Sequence, residues 1–349
     1  MSDATIVVDL GAYARNLDTL RARVAPAELM AVVKSDGYGH GLATIAHSAV
    51  ANGVNWLGSL DIATGLRLRE AGIGDDIAIF AWLLGPHDDF RAAIDAGIDL
   101  GISTVEQLDQ IAQAGAVTPA RLHLKIDTGL HRNGATEDEW PTLVRRALEL
   151  ERAGVADFHA VWTHIAEASD EEDSAAIARF DQAVRVAEGF GASIRLRHLA
   201  ASAAGLARAD ARFDLVRIGA FGYGISPGDG IAPSTLGIVP VMTLSAPVLT
   251  VGDGLAELGI GYADGISSAA VGVLDVAISG RRYPIVAVGL DRIVVEVGDD
   301  TVRPLDRGIL FGNGSLGEAT LQEWGDALES IGEEVVTRLS PRIPRQYSE

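Results

Sequence analysis

Cysteine is absent from this chain of 349 residues. Its absence excludes disulfide bonds, thiolate metal sites and a cysteine nucleophile. The eight histidines are scattered along the chain, and none stands in an HExxH pattern or a comparable ligand spacing. We therefore expect no metal site.

Basic residues are scarce, since 28 Lys and Arg stand against 48 Asp and Glu and give a net charge of −20. Such a charge repels polyanions, so we expect no nucleic-acid partner. No apolar run reaches the roughly 18 residues that a membrane span needs. The opening MSDATIVVDL is acidic and lacks the apolar stretch of a signal peptide. We therefore expect a soluble cytoplasmic protein that does not bind membranes.

Apolar residues make up 48% of the chain, which is enough for a large core at this length. Between residues 29 and 219, eight short apolar runs alternate with amphipathic segments. Such runs are typical of parallel strands buried on both faces. Eight strand–helix units over about 200 residues predict a (β/α)8 barrel of the TIM type rather than a doubly wound sheet. The runs are LMAVVK (29–34), NWLGSL (55–60), DIAIFA (76–81), IDLGIS (98–103), RLHLKID (121–127), DFHAVWTH (157–164), SIRLRHLA (193–200) and FDLVRIG (213–219).

Helical patterns fill the gaps between these runs, for example at residues 87–97, 104–115 and 171–191. After about residue 230, short strand-like runs are separated by Gly, Asp and Pro, and only residues 319–332 look helical. We place a domain boundary within SPGDGIAPST (226–235). The expected domains are a barrel over 1–230 and a mainly antiparallel β domain over 231–349.

Polar and glycine-adjacent residues fall at the carboxyl ends of the predicted strands, which form the active face of such a barrel. Each one alone has an ordinary structural explanation, such as a snorkelling lysine or a buried ion pair. Their common placement favours a functional site instead. These residues are Lys34, Arg132, His164, Ser202, Arg217, Gly219 and Ala220.

The segments HLAASAAG and VRIGAFGYG follow the last two strands, where these barrels usually hold a phosphate. They offer a hydroxyl and backbone N–H groups that can bind an anion. A lysine facing a phosphate site indicates pyridoxal 5'-phosphate (PLP), which needs a lysine, a phosphate pocket and a partner for its pyridine nitrogen. A Schiff-base aldolase or a phosphosugar isomerase fits the same spacing.

Seven segments resemble, in the same order, the signatures of alanine racemases. They span the chain from the first barrel strand to the tail: AVVKSDGYGHG, LKIDTGLHRNG, VWTHIAEA, HLAASAA, VRIGAFGYGISP, GIGYADG and RIPRQY. The resemblance implies a PLP-dependent homodimer with shared active sites, a barrel and a C-terminal β domain. It implies the interconversion of L- and D-alanine, with D-alanine supplied to cell-wall synthesis in a bacterial source.

The resemblance also implies roles for individual residues. Lys34 would hold the cofactor and act as one base, and Tyr262 would be the opposing base, because inversion of an α-carbon needs a base on each face. Arg217 would bond the pyridine nitrogen, with His164 beside it. Arg132, supported by Lys125, would orient the substrate carboxylate. The other implied residues are Tyr38, Ser202, Gly219 and Ala220 for the phosphate, and Leu290 with Asp291 near the substrate.

Three departures from the family pattern surround the expected substrate entrance. Leu290 replaces a methionine, Glu333 falls where a tyrosine is expected, and Ser267-Ser268 replace an arginine. A carboxylate beside a phosphate would be repulsive, so we expect a shifted register or a different local fold there. Two alternatives stay open: a racemase of broader specificity acting on serine or other small amino acids, and a non-catalytic PLP-binding protein. A related decarboxylase is disfavoured because those enzymes rely on a cysteine.

Overall fold

The computed structural model describes residues 4–227 and 230–349 and divides them into two compact units. The barrel unit comprises residues 20–34 and 49–219. The sheet unit comprises residues 4–19, 35–48 and 220–349, apart from 228 and 229. The predicted boundary at 226–235 includes Gly228 and Asp229, which lie outside the described residues, and the two-domain division at residue 230 stays a prediction.

Seventeen strands occur in the described residues. In chain order they are β1 (Thr5–Asp9), β2 (Glu28–Val32), β3 (Trp56–Leu60), β4 (Ala78–Ala81), β5 (Ile98–Ile102), β6 (Ala120–Lys125), β7 (Ala156–Trp162), β8 (Leu196–His198), β9 (Leu215–Ile218), β10 (Met242–Gly252), β11 (Leu255–Leu258), β12 (Asp275–Ile278), β13 (Arg281–Val288), β14 (Ile293–Glu296), β15 (Arg307–Gly312), β16 (Ala319–Thr320) and β17 (Arg345–Ser348).

The barrel unit contains a parallel sheet in the order β8-β7-β6-β5-β4-β3-β2-β9. The two ends of this order meet, because Asp214 N–H donates to Arg197 O at 3.0 Å and Arg217 N–H donates to Ala200 O at 3.1 Å. The predicted (β/α)8 barrel is confirmed, and each of the eight apolar runs overlaps one of its strands. The carboxyl ends of all eight strands therefore lie on one rim.

Helices connect the barrel strands at the predicted places. Thr104 caps the helix Val105–Gln113 through a capping box with Gln107, which satisfies backbone N–H groups that the first helical turn leaves unpaired. Ser169 caps the longest of the described helices through its side chain alone, which accepts from the N–H of Glu172. The helices are Leu10–Val24, Leu42–Ala51, Ile62–Glu70, Phe90–Asp95, Val105–Gln113, Trp140–Arg152, Asp170–Gly189, Ser202–Ala207, Leu321–Ala327 and Gly332–Thr337.

The barrel interior mixes large apolar side chains with a few buried polar ones. Phe80 and Trp162 lie in the apolar cluster, at ring centroids 5.2 Å apart. His123 and His198 are buried among them, and Phe80 stacks on His123 at 4.7 Å. Buried polar groups must be hydrogen-bonded to be tolerated, and both histidines meet that condition.

The sheet unit is built on nine strands in the order β16-β15-β12-β13-β14-β11-β10-β1-β17. Strand β10 also pairs with β15, so the six strands from β15 to β10 form a closed ring of pairings. The predicted mainly antiparallel sheet is confirmed; only the β1–β17 and β15–β16 pairs are parallel. The sequence did not reveal that Thr5–Asp9 belongs to this sheet, since its partners lie far away in the chain.

The helical pattern at 319–332 is interrupted in the structure. One helix ends at Ala327 and another begins at Gly332, with Glu329 between them in a left-handed conformation at φ 49°. Such a residue cannot continue a right-handed helix. None of the described helices is both long enough and apolar enough to cross a membrane.

Candidate active site

Lys34 lies immediately beyond β2, at the rim of the barrel. The backbone before it stays extended, because Val33 N–H donates to Gly58 O at 2.9 Å. The backbone after it turns left-handed, with φ angles of 53°, 56° and 61° at Ser35, Asp36 and Gly37. Successive left-handed residues are costly for side chains other than glycine. Lys34 therefore ends its strand at an enforced change of direction, which is a feature typical of functional sites.

His40 stabilises that left-handed turn within the sheet unit. Its Nδ1–H donates to the carbonyls of Gly37 at 3.0 Å and Tyr38 at 2.8 Å, and its ring packs on Tyr223 at 4.8 Å. Gly39 has φ 76°, and a Cβ there would lie 2.6 Å from the carbonyl oxygen of Val336. His40, for which the sequence suggested no role, is thus part of the turn that follows Lys34.

Arg217, on β9, is hydrogen-bonded through both of its terminal nitrogens. Nη2 donates to Thr163 O and Leu199 O, both at 2.8 Å, and faces Nδ1 of His164 at 3.1 Å. Nη1 faces Nδ1 of His198 at 3.0 Å. Burial, followed by Arg132, lowers the pKa of Arg217 to about 9, so its guanidinium is still charged at pH 7.

His164 lies among four basic side chains. Burial, followed by Arg217, lowers the pKa of His164 to about 2, with smaller contributions from Arg132, Lys125 and Lys34. The imidazole is therefore neutral, and because Nδ1 accepts from Arg217, its hydrogen is on Nε2. Several basic side chains at one rim create a positive potential that attracts anions, although Asp127 acts on Lys125 and Glu167 on Arg217 in the opposite sense.

Lys125 is buried at the end of β6. Its Nζ donates to Oδ1 of Asn133 and lies 4.6 Å from the ring centroid of Trp162. Burial, followed by Arg217 and Arg132, lowers the pKa of Lys125 to about 7. Neutral and charged amine are thus similarly populated at pH 7.

Arg132 lies exposed on the loop that follows β6. The base of this loop is closed by two backbone hydrogen bonds of 2.9 Å, from Asp127 N–H to Ala135 O and from Ala135 N–H to Lys125 O. Its effect on the pKa values of Lys125, His164 and Arg217 shows that the guanidinium lies near them. The structure therefore brings the predicted rim cations together.

Ser202 and Gly219 meet at the ends of β8 and β9, where Gly219 N–H donates to Oγ of Ser202 at 3.0 Å. Both are buried, as is Ala220, which begins a short turn in the sheet unit. The hydroxyl group of Ser202 and the backbone N–H of Gly219, which the sequence predicts to lie at one site, are thus adjacent.

Tyr262 lies in a short turn of the sheet unit, with its side chain 56% exposed. Its N–H donates to Gly289 O, and Ala263 N–H donates to Leu290 O, both at 2.9 Å. The turn is also held by Asp264, which accepts from Nε of Arg342 at 2.9 Å. The structure thus brings the predicted residues Tyr262, Leu290 and the adjoining, exposed Asp291 together.

Tyr38 and Glu333 are near one another in the sheet unit. Burial, followed by the charge of Glu333, raises the pKa of the buried Tyr38 phenol well above its ordinary value. Glu333 lies in the first turn of the helix Gly332–Thr337. The carboxylate of Glu333 therefore lies near Tyr38, one of the residues that are expected to bind the phosphate.

Sequence reasoning missed several contacts that support the site. Arg342 and Arg345 come from the tail, and Arg345 donates to Gly39 O at 3.2 Å as well as to the carbonyls of Ser340 and Ile343. His123, His198 and Asp99 lie inside the barrel, in runs that read only as buried strands. A charged or imidazole side chain inside an otherwise apolar strand was the available signal.

These features define a barrel enzyme whose rim is suited to an anionic substrate or cofactor, with a lysine at the end of the first barrel strand. A neutral imidazole lies amid four basic side chains, and the turn that carries Tyr262 is held by the buried carboxylate of Asp264 in the sheet unit.

Comparisons with known proteins identify the family. The family models described as alanine racemase, N-terminal domain, and alanine racemase, C-terminal domain, match residues 8–227 and 247–347. An alanine racemase of Thermobifida fusca is 42% identical over 98% of this chain and 97% of its own length. The crystal structure of alanine racemase from D-cycloserine-producing Streptomyces lavendulae is 34% identical, with a TM-score of 0.94 over 100% of this chain and 98% of that one. Alanine racemase from Streptomyces coelicolor A3(2) is 36% identical, with a TM-score of 0.93 over 99% and 98%. The chain belongs to the alanine racemase family.

Proposed function

We propose that this protein interconverts L- and D-alanine with PLP, using Lys34 and Tyr262 as its two bases. The observation that carries the proposal is the rim arrangement of Lys34, Lys125, Arg132 and Arg217 around a neutral His164. The family's relatives named as alanine racemases support the reaction, and no comparison supports the broader racemase.

The rim residues fit PLP. Lys34 would hold the cofactor, Ser202 and Gly219 would bind its phosphate, with Tyr38 and Ala220 contributing, and Arg217 would hold its pyridine nitrogen. When bound, PLP withdraws electrons from the α-carbon of an attached amino acid. Arg217 is a donor only and remains charged near pH 7. It therefore suits an unprotonated ring nitrogen, and we infer that it keeps the cofactor a moderate electron acceptor.

The chain's own groups move the proton. Lys34 exchanges a proton on one face of the α-carbon and Tyr262 on the other, as inversion requires. Arg132 orients the substrate carboxylate, while His164, neutral and hydrogen-bonded to Arg217, supports the base opposite Lys34. We also propose a cytoplasmic homodimer in which a second copy supplies Tyr262, and in which the product serves cell-wall synthesis.

The test is Tyr262→Phe, assayed in D₂O with each alanine enantiomer. We expect the variant to keep its cofactor and lose racemisation, while one enantiomer still exchanges its α-hydrogen through Lys34. Tyr283→Phe is the control, because this phenol of the same unit donates to Asp300 at 3.0 Å and takes no proposed part. Unchanged racemisation in Tyr262→Phe would overturn the two-base assignment.

Glu333 and Ser267-Ser268 favour one second candidate, a racemase acting on other small amino acids. Turnover of alanine, serine and lysine by the native protein separates the two. Negligible alanine turnover beside strong turnover of another amino acid would replace the first proposal with the second. A protein that binds PLP but turns over none of the three would be a carrier.

A further inference from the structure

A chain of hydrogen-bonded side chains crosses the barrel interior from Arg217 to Asp99. Nη1 of Arg217 faces Nδ1 of His198 at 3.0 Å, and Nε2 of His198 faces Nδ1 of His123 at 2.9 Å. Nε2 of His123 then faces Oδ2 of Asp99 at 3.1 Å. The four residues come from β9, β8, β6 and β5, and each is at most 4% exposed.

The two ends of this chain fix the direction of every hydrogen bond. A guanidinium can only donate and a carboxylate can only accept. Nδ1 of His198 therefore accepts from Arg217, so the hydrogen of His198 is on Nε2 and is donated to His123. The hydrogen of His123 is likewise on Nε2 and is donated to Asp99. Both imidazoles are neutral and each has a single tautomer.

The electrostatics agree with this assignment. Burial, followed by Arg217 and His123, lowers the pKa of His198 well below its ordinary value. The described hydrogen-bond acceptors of Arg217 are neutral, namely two backbone carbonyls and two imidazoles, while the charge of Glu167 raises its pKa. The carboxylate of Asp99 is thus connected to the Arg217 cation only through the two polarised imidazoles.

The same cluster could be taken for a metal site, because ligand atoms of Asp99, His123 and His159 lie within 4.8 Å of one another. The hydrogen-bond directions argue against a metal. Nε2 of His123 carries a hydrogen and has no lone pair for a cation. Oδ1 of Asp99 already accepts from Nε of Arg121 at 2.5 Å, so the carboxylate has a cationic partner.

We propose that Asp99, His123 and His198 are positioning residues that hold the guanidinium of Arg217 fixed as a hydrogen-bond donor at the barrel rim. The two imidazoles connect the guanidinium to Asp99, whose carboxylate accepts from Nε2 of His123 and is itself paired with Arg121. It also occupies Nη1, so that the orientation of the guanidinium plane is determined from inside the barrel. The role of Arg217 toward the pyridine nitrogen of PLP rests on the proposed function, whereas the hydrogen-bond chain does not.

The direct test is NMR of protein labelled with ¹⁵N-histidine, without cofactor. We expect His123 and His198 to show the neutral Nε2–H tautomer, with Nδ1 of each accepting a hydrogen bond. A charged imidazole or an Nδ1–H tautomer at either residue would overturn the proposal. This measurement uses the unaltered protein and therefore does not depend on whether any variant folds.

Asp99→Asn keeps the shape of the side chain and removes its charge. We expect the ¹⁵N resonances of both His123 and His198 to shift, and the absorption band of the PLP-loaded protein to move. We also expect kcat to fall about tenfold, in the range of energetic coupling through such networks, with KM nearly unchanged. If the His198 resonance and the absorption band stay unchanged, the proposed positioning of Arg217 by Asp99, His123 and His198 is wrong.

His159→Gln is the matched control. His159 stacks on His123 at 5.5 Å, but its Nδ1 makes no hydrogen bond to the residues that connect Arg217 with Asp99. It should leave the His198 resonance and the absorption band unchanged, and a similar change in both variants would contradict the proposal. The protein could show the expected tautomers and yet neither bind PLP nor racemise alanine. That result would overturn the proposed function but not the hydrogen-bond chain from Arg217 to Asp99.

Discussion

Nη2 of Arg217 donates to Nδ1 of His164 at 3.1 Å, at the rim of the barrel. The bond joins a buried cation to an imidazole that stays neutral, because burial and Arg217 lower the pKa of His164 to about 2. The interaction therefore fixes the tautomer of His164 and presents its Nε2–H.

Arg217→Lys tests whether the fork geometry of the guanidinium matters beyond its charge. An ammonium has three donors on one atom and cannot reach the four acceptors of Arg217 together. We expect kcat/KM to fall about 100-fold, comparable to the loss of a fixed donor in other active sites. Arg195→Lys, at an exposed ion pair with Asp157, is the control and should retain full activity. Equal activity of the two variants would contradict the role of Arg217.

Lys125 should react reversibly with carbon dioxide. Burial and the two nearby arginines lower its pKa to about 7, and only a neutral amine forms a carbamate. The carbamate would place a negative charge near Arg217 and Arg132. We expect ¹³C-bicarbonate to give a carbamate NMR signal that rises as the pH increases through 7 and is absent in Lys125→Met. A pH-independent signal, or one that survives in Lys125→Met, would show that Lys125 is not its source.

His40 should make stability depend on acid. Burial lowers its pKa from 6.5 to about 4, so between pH 6.5 and 4 the unfolded chain binds a proton that the folded one does not. Stability is therefore lost as the pH falls through this window, by roughly 3 kcal/mol at most.

His40→Asn preserves a donor near Nδ1 and removes the titration. We expect this variant to lose less stability than the native protein between pH 6.5 and 4, as measured by urea unfolding at each pH. His47→Asn, at an exposed position, should follow the native curve. Parallel curves for the native protein and His40→Asn would show that His40 does not carry the effect.

Gly134→Ala should disturb the loop that holds Arg132. Gly134 has φ 116°, and a Cβ there would lie 2.9 Å from Asp127 N and 3.0 Å from Ile126 C. We expect a loss of about 2 kcal/mol in stability and a larger effect on kcat/KM than on the melting temperature. Gly154→Ala, where φ is 72° with open space around the added Cβ, should cost about 1 kcal/mol of strain and spare activity. Equal effects of both variants on kcat/KM would contradict the importance of the loop.

The barrel could be predicted because its strands are local runs with a simple apolar pattern, repeated eight times. The rim residues followed from it, since the carboxyl ends of parallel strands share one face. Long-range pairings could not be predicted in this way. The contact between Asp264 and Arg342 spans 78 positions, and Thr5–Asp9 pairs with strands from the other end of the chain.

The strained backbone after Lys34 and the hydrogen-bonded polar side chains inside the barrel also could not be predicted from the sequence. Nothing in KSDGYG indicates five successive residues with left-handed φ angles, from Ser35 to Gly39, because serine, aspartate and tyrosine would not choose that conformation alone. His123 and His198 each read as a single tolerated histidine inside a strand, and their connection depends on the register between β6, β7 and β8. The proximity of Glu333 to Tyr38 also required the fold.

The most direct measurement of the central claim is borohydride reduction of the protein isolated with PLP, followed by peptide mapping. The chain contains two lysines, Lys34 and Lys125, so the outcome is unambiguous. The account predicts a visible absorption band that reduction abolishes, with the cofactor then attached to Lys34. Attachment to Lys125, or a protein that binds no PLP, would contradict it.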